Sequence, residues 1–423
     1  MRHGGTTGQP GPPAAPPVSE ELLRTIGETE PSAEGTALLT SARRERRRDL
    51  LRRVLREAVR GGADGGPAPE HRALLDEAVR QAPEAVAAVL DYPATGVWAE
   101  ETLHRLGDPA GPPPDLGHLG GVAVAAALRA GIAFTAVLKP VHGRIVLPTL
   151  GVLRPGRPGP QRLSAGCWDP ADPAALPLHP LPGGATVLDD LDPYRVPGRP
   201  TAVAAARRLT PRGHKRWDVQ WNGALTLLGR YDTARAEEAA GLLRSLVPLA
   251  GGAGEPGATL PEAPGAVFAR GQAPPALAAT LVREVQYGKL AALGTVVSLH
   301  TAGPAARHWA PWHPEPRPLE GLLRGAYAQL ALAGYWQRAA LYGARGAWTQ
   351  HARHRTRVAA VLPGLAADPG LTAAGRVFTA AMARAERALD ALPPPGEQYA
   401  AARRVLARER RAWDRAHPAL AAP

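Results

Sequence analysis

Residues 275–300 read Pro-Ala-Leu-Ala-Ala-Thr-Leu-Val-Arg-Glu-Val-Gln-Tyr-Gly-Lys-Leu-Ala-Ala-Leu-Gly-Thr-Val-Val-Ser-Leu-His, a stretch interrupted in its middle only by Arg283, Glu284, Gln286 and Lys289. A helix that is apolar on most faces belongs in a core. A second stretch of the same kind, Leu319 to Gly343, carries Tyr327, Gln329, Tyr335 and Trp336. Together they predict a mainly α protein built on a buried helix pair. Within the first helix, Arg283, Glu284 and Tyr287 stand at the spacing of His-Glu-x-x-His, in which histidines at i and i+4 share one face and chelate a single cation. Here both ligand positions hold residues that are not ligands. A carboxylate taken into an apolar core is costly unless paired. Side chains of adjacent helical residues diverge by about 100°, so Arg283 and Glu284 are expected to need separate partners. Arg283 and Tyr287, four apart, can meet.

The 423 residues suffice for two or three domains. A formal charge of +12 would ordinarily suggest a nucleic-acid partner. Yet Lys139, Lys215 and Lys289 are the only lysines among 50 basic residues, and the chain holds 47 Gly and 46 Pro, a skew that fits GC-rich coding better than a phosphate-binding surface. Nucleic acid is therefore not the expected partner. The single cysteine, Cys167, excludes an internal disulfide framework and a cysteine zinc cluster, and points to a reducing cytoplasm. Residues 1–18 are Pro- and Gly-rich without an apolar core and read as a disordered tail rather than a signal peptide. No apolar run is long enough to span a membrane, so a soluble protein is expected.

Along the chain, residues 19–132 read as a helical region. Leu50, Leu51, Val54, Leu55 and Ala58 form an apolar stripe, and the run from Arg43 to Arg60 reads as a solvated face. Further helices are predicted over 70–106 and 116–130. Residues 133–250 are mixed: Phe134–Val141 and Arg144–Leu150 alternate around His142-Gly143 as a hairpin, residues 154–184 read as loop, and Ala185–Leu188 as a short strand. Asp189, Asp190 and Asp192 could hold a cation, but Asp before Pro favours a turn. Helices follow over 201–248, with Trp217 and Trp221 on one face for packing. Residues 251–265 read as a linker, and 266–423 as a C-terminal helical region. Between the paired helices lies an aromatic, proline-stiffened connector. Trp309, Trp312 and Arg317 on it, with Tyr327 on the second helix, are candidates for the wall of a pocket. There is no G-x-S-x-G elbow or phosphate loop of Walker type, and Cys167 has no nucleophile setting.

The stretch LVREVQYGKLAALGTVVSL (281–299), followed by APWHPEPRPLEGLLRGAYAQLALAGYW (310–336), resembles the HEXXH-motif peptide-modification family, the α-ketoglutarate-dependent HExxH-type peptide β-hydroxylases. The family pattern there is close to LVHEFQHSKLxALLDLVPL and APWRxDPRPLxGLLQGxYAHLAVxxFW. YPATGVWAEETLHRLG (92–107), DLGHLGGVAVAAALRAG (115–131), IVLPTLG (145–151), LDDLDPYR (188–195) and GLTAAGRVFTAAM (370–382) extend the likeness over most of the chain.

The resemblance implies iron(II) held by the two motif histidines and a third on the second helix, with α-ketoglutarate and O₂ hydroxylating a side-chain β-carbon of a ribosomally made peptide. Carried over, the three ligand positions fall on Arg283, Tyr287 and Gln329, and Glu284 alone survives as a vestigial catalytic residue. Arginine is permanently protonated, and Tyr and Gln are poor substitutes for imidazole. The implied protein is thus a degenerate member without a cofactor. It would bind a ribosomally made precursor peptide or a maturation enzyme, with Arg283 neutralising Glu284 or receiving a carboxylate. The alternative is an active iron/α-ketoglutarate hydroxylase with a non-standard ligand set. His313 and Glu315, spaced as H-x-E, are the replacement candidates, with His300, His308, His351 and His354 as third ligands. His351 and His354, among Arg353, Arg355 and Arg357, otherwise read as an exposed face.

Overall fold

The computed structural model describes residues 18–60, 69–108, 110–198, 203–251 and 255–421, so the expected tail lies, apart from Val18, outside the described residues. The chain is mainly α with a small β component. The helix decided by the opening stretch runs Pro274–Leu293, started by two prolines whose missing N–H groups cost nothing in a first turn. It lies against Leu319–Leu341 and against Pro211–Tyr231, and Leu319–Leu341 in turn lies along Ala347–Ala366. Leu277, Leu281, Leu293, Ala331, Val358 and Phe378 are fully buried in this core. Trp217 and Trp221 join it, packing as expected from their spacing.

A five-stranded sheet sets the entry angle of that helix. Its order is His179–Pro180, Val187–Leu188, Ser245–Pro248, Ala266–Ala269, Gly257–Ala258. Ser245–Pro248 runs parallel to both Val187–Leu188 and Ala266–Ala269, and every residue of the two four-residue strands is buried, as befits parallel strands covered on both faces. Ala266–Ala269 leads directly towards the Pro274–Leu293 helix. The edge strand Gly257–Ala258 pairs antiparallel to it. The 251–265 segment, expected to be a linker, therefore contributes an integral strand, although residues 252–254 lie outside the described residues.

A second core fills the N-terminal half around His118–Ala130, a helix buried along nearly its whole length, with Leu50, Leu51, Val54 and Ala58 packed into it. The helical stretch over 70–106 is three helices, Pro69–Gln81, Pro83–Asp91 and Pro93–Leu106, the last two each opened by a proline that cannot continue the one before. The arginine run is only partly solvated. Arg43 and Arg47 are buried, donating to Asp91 and to the carbonyls of Leu242 and Pro264, and so tie the two halves together.

The expected hairpin does not form as such. His142 and Gly143 make the tight turn, both at positive φ, closed by a Val141–Arg144 bridge. Beyond it the strands part: Thr135–Leu138 pairs with Gln161–Ser164, while Ile145–Leu147 pairs with Gly151–Leu153. Pro140 has no N–H to extend the ladder past the turn. The supposed loop over 154–184 thus holds strands of its own. The acidic cluster makes the expected turn: Asp189 accepts from the N–H groups of Leu191 and Asp192, and Asp192 accepts from that of Tyr194 at 2.8 Å. Among the described residues no helix is long and apolar enough to cross a membrane.

Candidate functional site

The four polar residues of the Pro274–Leu293 helix divide between two sides. On one, Lys289 Nζ donates to Glu238 Oε1 at 2.6 Å and Gln286 Nε2 to Glu238 Oε2 at 3.2 Å, and all three side chains are buried. On the other, Arg283 and Glu284 face the edge strand. Their side chains do meet, Arg283 Nε donating to Glu284 Oε1 at 2.7 Å, which corrects the expectation from helical divergence. The long guanidinium stem curls back over its neighbour because both groups are drawn to the same strand. Arg283 Nη2 donates to the Gly257 carbonyl at 3.0 Å, and the Thr259 hydroxyl donates to Glu284 Oε2 at 2.9 Å. Glu255 adds a looser ion pair at 3.3 Å. The Glu284 side chain has no solvent exposure, whereas that of Arg283 retains 18 %.

This pair lines a cavity of about 260 Å³ together with Tyr287, Trp312, His313, Arg317, Arg324 and Gln329. Trp312 reaches it because residue 325 is glycine: a Cβ there would sit 2.3 Å from the indole Nε1. Arg317 is set by a backbone bridge with His308, which closes the connector at its two ends. The Arg324 guanidinium lies 5.1 Å from the centre of the Tyr287 ring, a cation–π contact. Its Nε is buried without a hydrogen-bond partner. Among the described residues, neither Arg317 nor Arg324 has a carboxylate within ion-pair distance.

Gln329 stands at the far side, its Oε1 accepting from His354 Nδ1 at 2.5 Å. Burial and the charges of Arg353, Arg357 and Arg283 push the His354 imidazole down to about 3, so it is neutral at physiological pH. The face holding His351 and His354 is not exposed. His351 is fully buried with Nδ1 on the Ala333 carbonyl, and Arg355 and Arg357 pair with Asp390 and Glu409 of the C-terminal helices that cover this side.

Two of the expected wall residues lie elsewhere. Tyr327 is fully buried on the opposite side of its helix, donating to the Ile26 carbonyl at 2.7 Å, and it packs on Phe378. Trp309 stacks under Arg410 and packs against the core. His313 and Glu315 do not converge: the imidazole Nδ1 accepts the Glu315 backbone N–H at 3.1 Å while the carboxylate is exposed. His354, a candidate metal ligand by sequence, serves instead as the hydrogen-bond partner of Gln329, and Thr259 and Arg324 join the site without having been among the candidates. Arg324 had a signal, since the family pattern resembled there has Gln.

The groups present do not suit an iron ion. Arg283 places a fixed cation beside the only carboxylate of the motif, Tyr287 is held as a phenol by burial and by the Glu284 charge, and Gln329 offers an amide already taken by His354. Among the described residues, no three His, Cys, Asp or Glu side chains are grouped to hold a metal. The charge balance favours the opposite kind of ligand. Arg283, Arg317 and Arg324 stand against the two carboxylates Glu284 and Glu255, which leaves the cavity with one positive charge in excess, suited to a carboxylate. No protein-family model and no curated protein matches this chain.

Proposed function

We propose that this chain is a catalytically degenerate member of the HEXXH-motif peptide-modification family, and that the cavity at the former iron helix holds a carboxylate of a ribosomally made precursor peptide. One observation carries the reading: Arg317 and Arg324 line the cavity without a carboxylate partner among the described residues, beside an Arg283 that stands where a metal ligand would. Arg283 has its own counter-ion and shapes the wall, while the other two guanidiniums supply the binding charge. Trp312 gives the flat apolar surface on which a peptide side chain can lie. A maturation enzyme presenting an acidic segment would be read by the same chemistry.

Binding of a capped tetrapeptide with one central aspartate, against the same peptide with asparagine, tests this by calorimetry. A charge-assisted hydrogen bond contributes about 1.5–3 kcal/mol, so the aspartate peptide should bind at least about tenfold tighter. The double variant Arg317→Gln/Arg324→Gln should bind both peptides alike. Equal affinity in the unaltered protein, or a preference untouched by the double variant, would refute the proposal.

A further inference from the structure

Far along the chain from that helix, four separated stretches meet around a second cavity of about 830 Å³, within the usual range of small-molecule sites. Its floor is a fixed polar and aromatic group. The Asp115 carboxylate accepts from the His118 backbone N–H at 3.2 Å and from the Tyr194 hydroxyl at 2.7 Å, while the Asp115 carbonyl accepts from Trp98 Nε1 at 2.8 Å. The His118 ring lies between Trp98 and Tyr194, with centroids 5.0 and 4.9 Å away. His118 is only 7 % exposed, yet its Nε2 has no hydrogen-bond partner. Leaving a buried polar atom unpaired costs about 1–3 kcal/mol, which a guest with a hydrogen-bonding group at this end of the cavity would recover. Burial pulls this imidazole down to about 4, so it is a neutral group at physiological pH.

Leu138, Ile145, Val152 and Leu191 give the walls apolar surface, beside the mutually paired Glu101 and Arg105. The mouth is cationic. Lys139 and Arg144 flank the tight turn at His142-Gly143, both exposed, and among the described residues neither has a carboxylate within ion-pair distance. Apolar wall residues, a floor in which the unpaired His118 ring stands beside the Tyr194-bound Asp115 carboxylate, and a cationic mouth define one kind of guest.

We propose that this second cavity binds an organic carboxylate with an apolar body, the body between Leu138, Ile145 and Leu191, the carboxylate at Lys139 and Arg144, and the inner end against His118. This is independent of the reading of the first cavity. The carboxylate can belong to a free organic acid or to a peptide C-terminus, and the two are separable by experiment.

The full chain is titrated with 4-phenylbutyrate, with 4-phenylbutyramide and with N-acetyl-Ala-Ala-Phe, following heat and the His118 ring Hε1 resonance assigned by its loss in His118→Phe. Two exposed ion pairs predict that the acid binds about three- to tenfold tighter than its amide. That preference should vanish in Lys139→Gln/Arg144→Gln, and the His118 signal should move on binding. It should persist in Arg317→Gln/Arg324→Gln, which separates this site from the other cavity. Tighter binding of the tripeptide than of 4-phenylbutyrate assigns the site to peptide termini, and the reverse assigns it to free acids. An amide that binds as well as the acid, a preference unchanged in Lys139→Gln/Arg144→Gln, a His118 resonance that does not move, or no binding of any of the three compounds would overturn the proposal.

Discussion

The two charged sides of the Pro274–Leu293 helix invite comparison, because they share one element and differ in closure. Around Lys289 every charge has its counterpart inside the protein: the ion pair with Glu238 is 3 % exposed on both sides, Gln286 fills the second carboxylate oxygen, and Tyr327 covers the ammonium. Around Arg283 the inner half is equally well satisfied by Glu284, Thr259 and Gly257, but the outer half opens on a cavity with one guanidinium charge to spare. A sealed cluster holds a fold together. An open cluster with excess charge is available to a ligand.

The sharpest way to break this contrast is to unpair the sealed side. Lys289→Met leaves the buried Glu238 with only Gln286 and a looser Arg235 guanidinium at 3.9 Å, and should lower unfolding free energy by about 3 kcal/mol in denaturant titration. The double variant Lys289→Met/Glu238→Leu should recover most of that loss. A single-variant cost under about 1 kcal/mol would show that the pair is not sealed.

On the open side, Arg283→Ala leaves Glu284 with only the Thr259 hydroxyl and should cost about 3 kcal/mol at neutral pH. A change below about 0.5 kcal/mol would mean that Arg283 is simply solvated. The pH dependence has a definite sign. Burial lifts the Glu284 carboxyl above its ordinary 4.5, against the pull of Arg283 and Thr259. A carboxyl so lifted binds more protons folded than unfolded, so stability falls as pH rises from the ordinary value through the folded one. Removing Arg283 extends that window upward, and the deficit of Arg283→Ala should therefore be larger near about pH 8 than near about pH 5. In a Glu284→Gln background the pH-dependent part should disappear.

Thr259→Val, which deletes one hydrogen bond to the buried carboxylate, should cost about 1.5 kcal/mol. The smallest stability effect belongs to Arg317→Gln/Arg324→Gln, within about 1 kcal/mol, because these guanidiniums hold no ion pair in the fold. That variant should still lose the preference for an acidic peptide.

The helix pair was legible because its apolar residues recur on every side, and a segment of that length has only a core to go to. The contacts that close the site were not. Arg283 and Glu284 diverge along an ideal helix, yet they meet because a strand from a Gly- and Pro-rich segment draws both, and Gly257–Ala258 carries no periodicity to announce it. His351 and His354 read as exposed because arginines flank them. The acidic partners of those arginines, Asp390 and Glu409, lie dozens of residues away on helices whose docking no local pattern reveals. Tyr327 was assigned to the cavity by its neighbours in sequence, whereas the helix turns it to the opposite side.

Whether the cavity beside Arg283 accepts iron is the most direct measure of its chemistry. Iron analysis of the full chain, purified without oxygen and reconstituted with iron(II), should find far less than one iron per chain and no α-ketoglutarate consumption with peptide present. One tightly held iron per chain together with α-ketoglutarate turnover would contradict the degenerate reading.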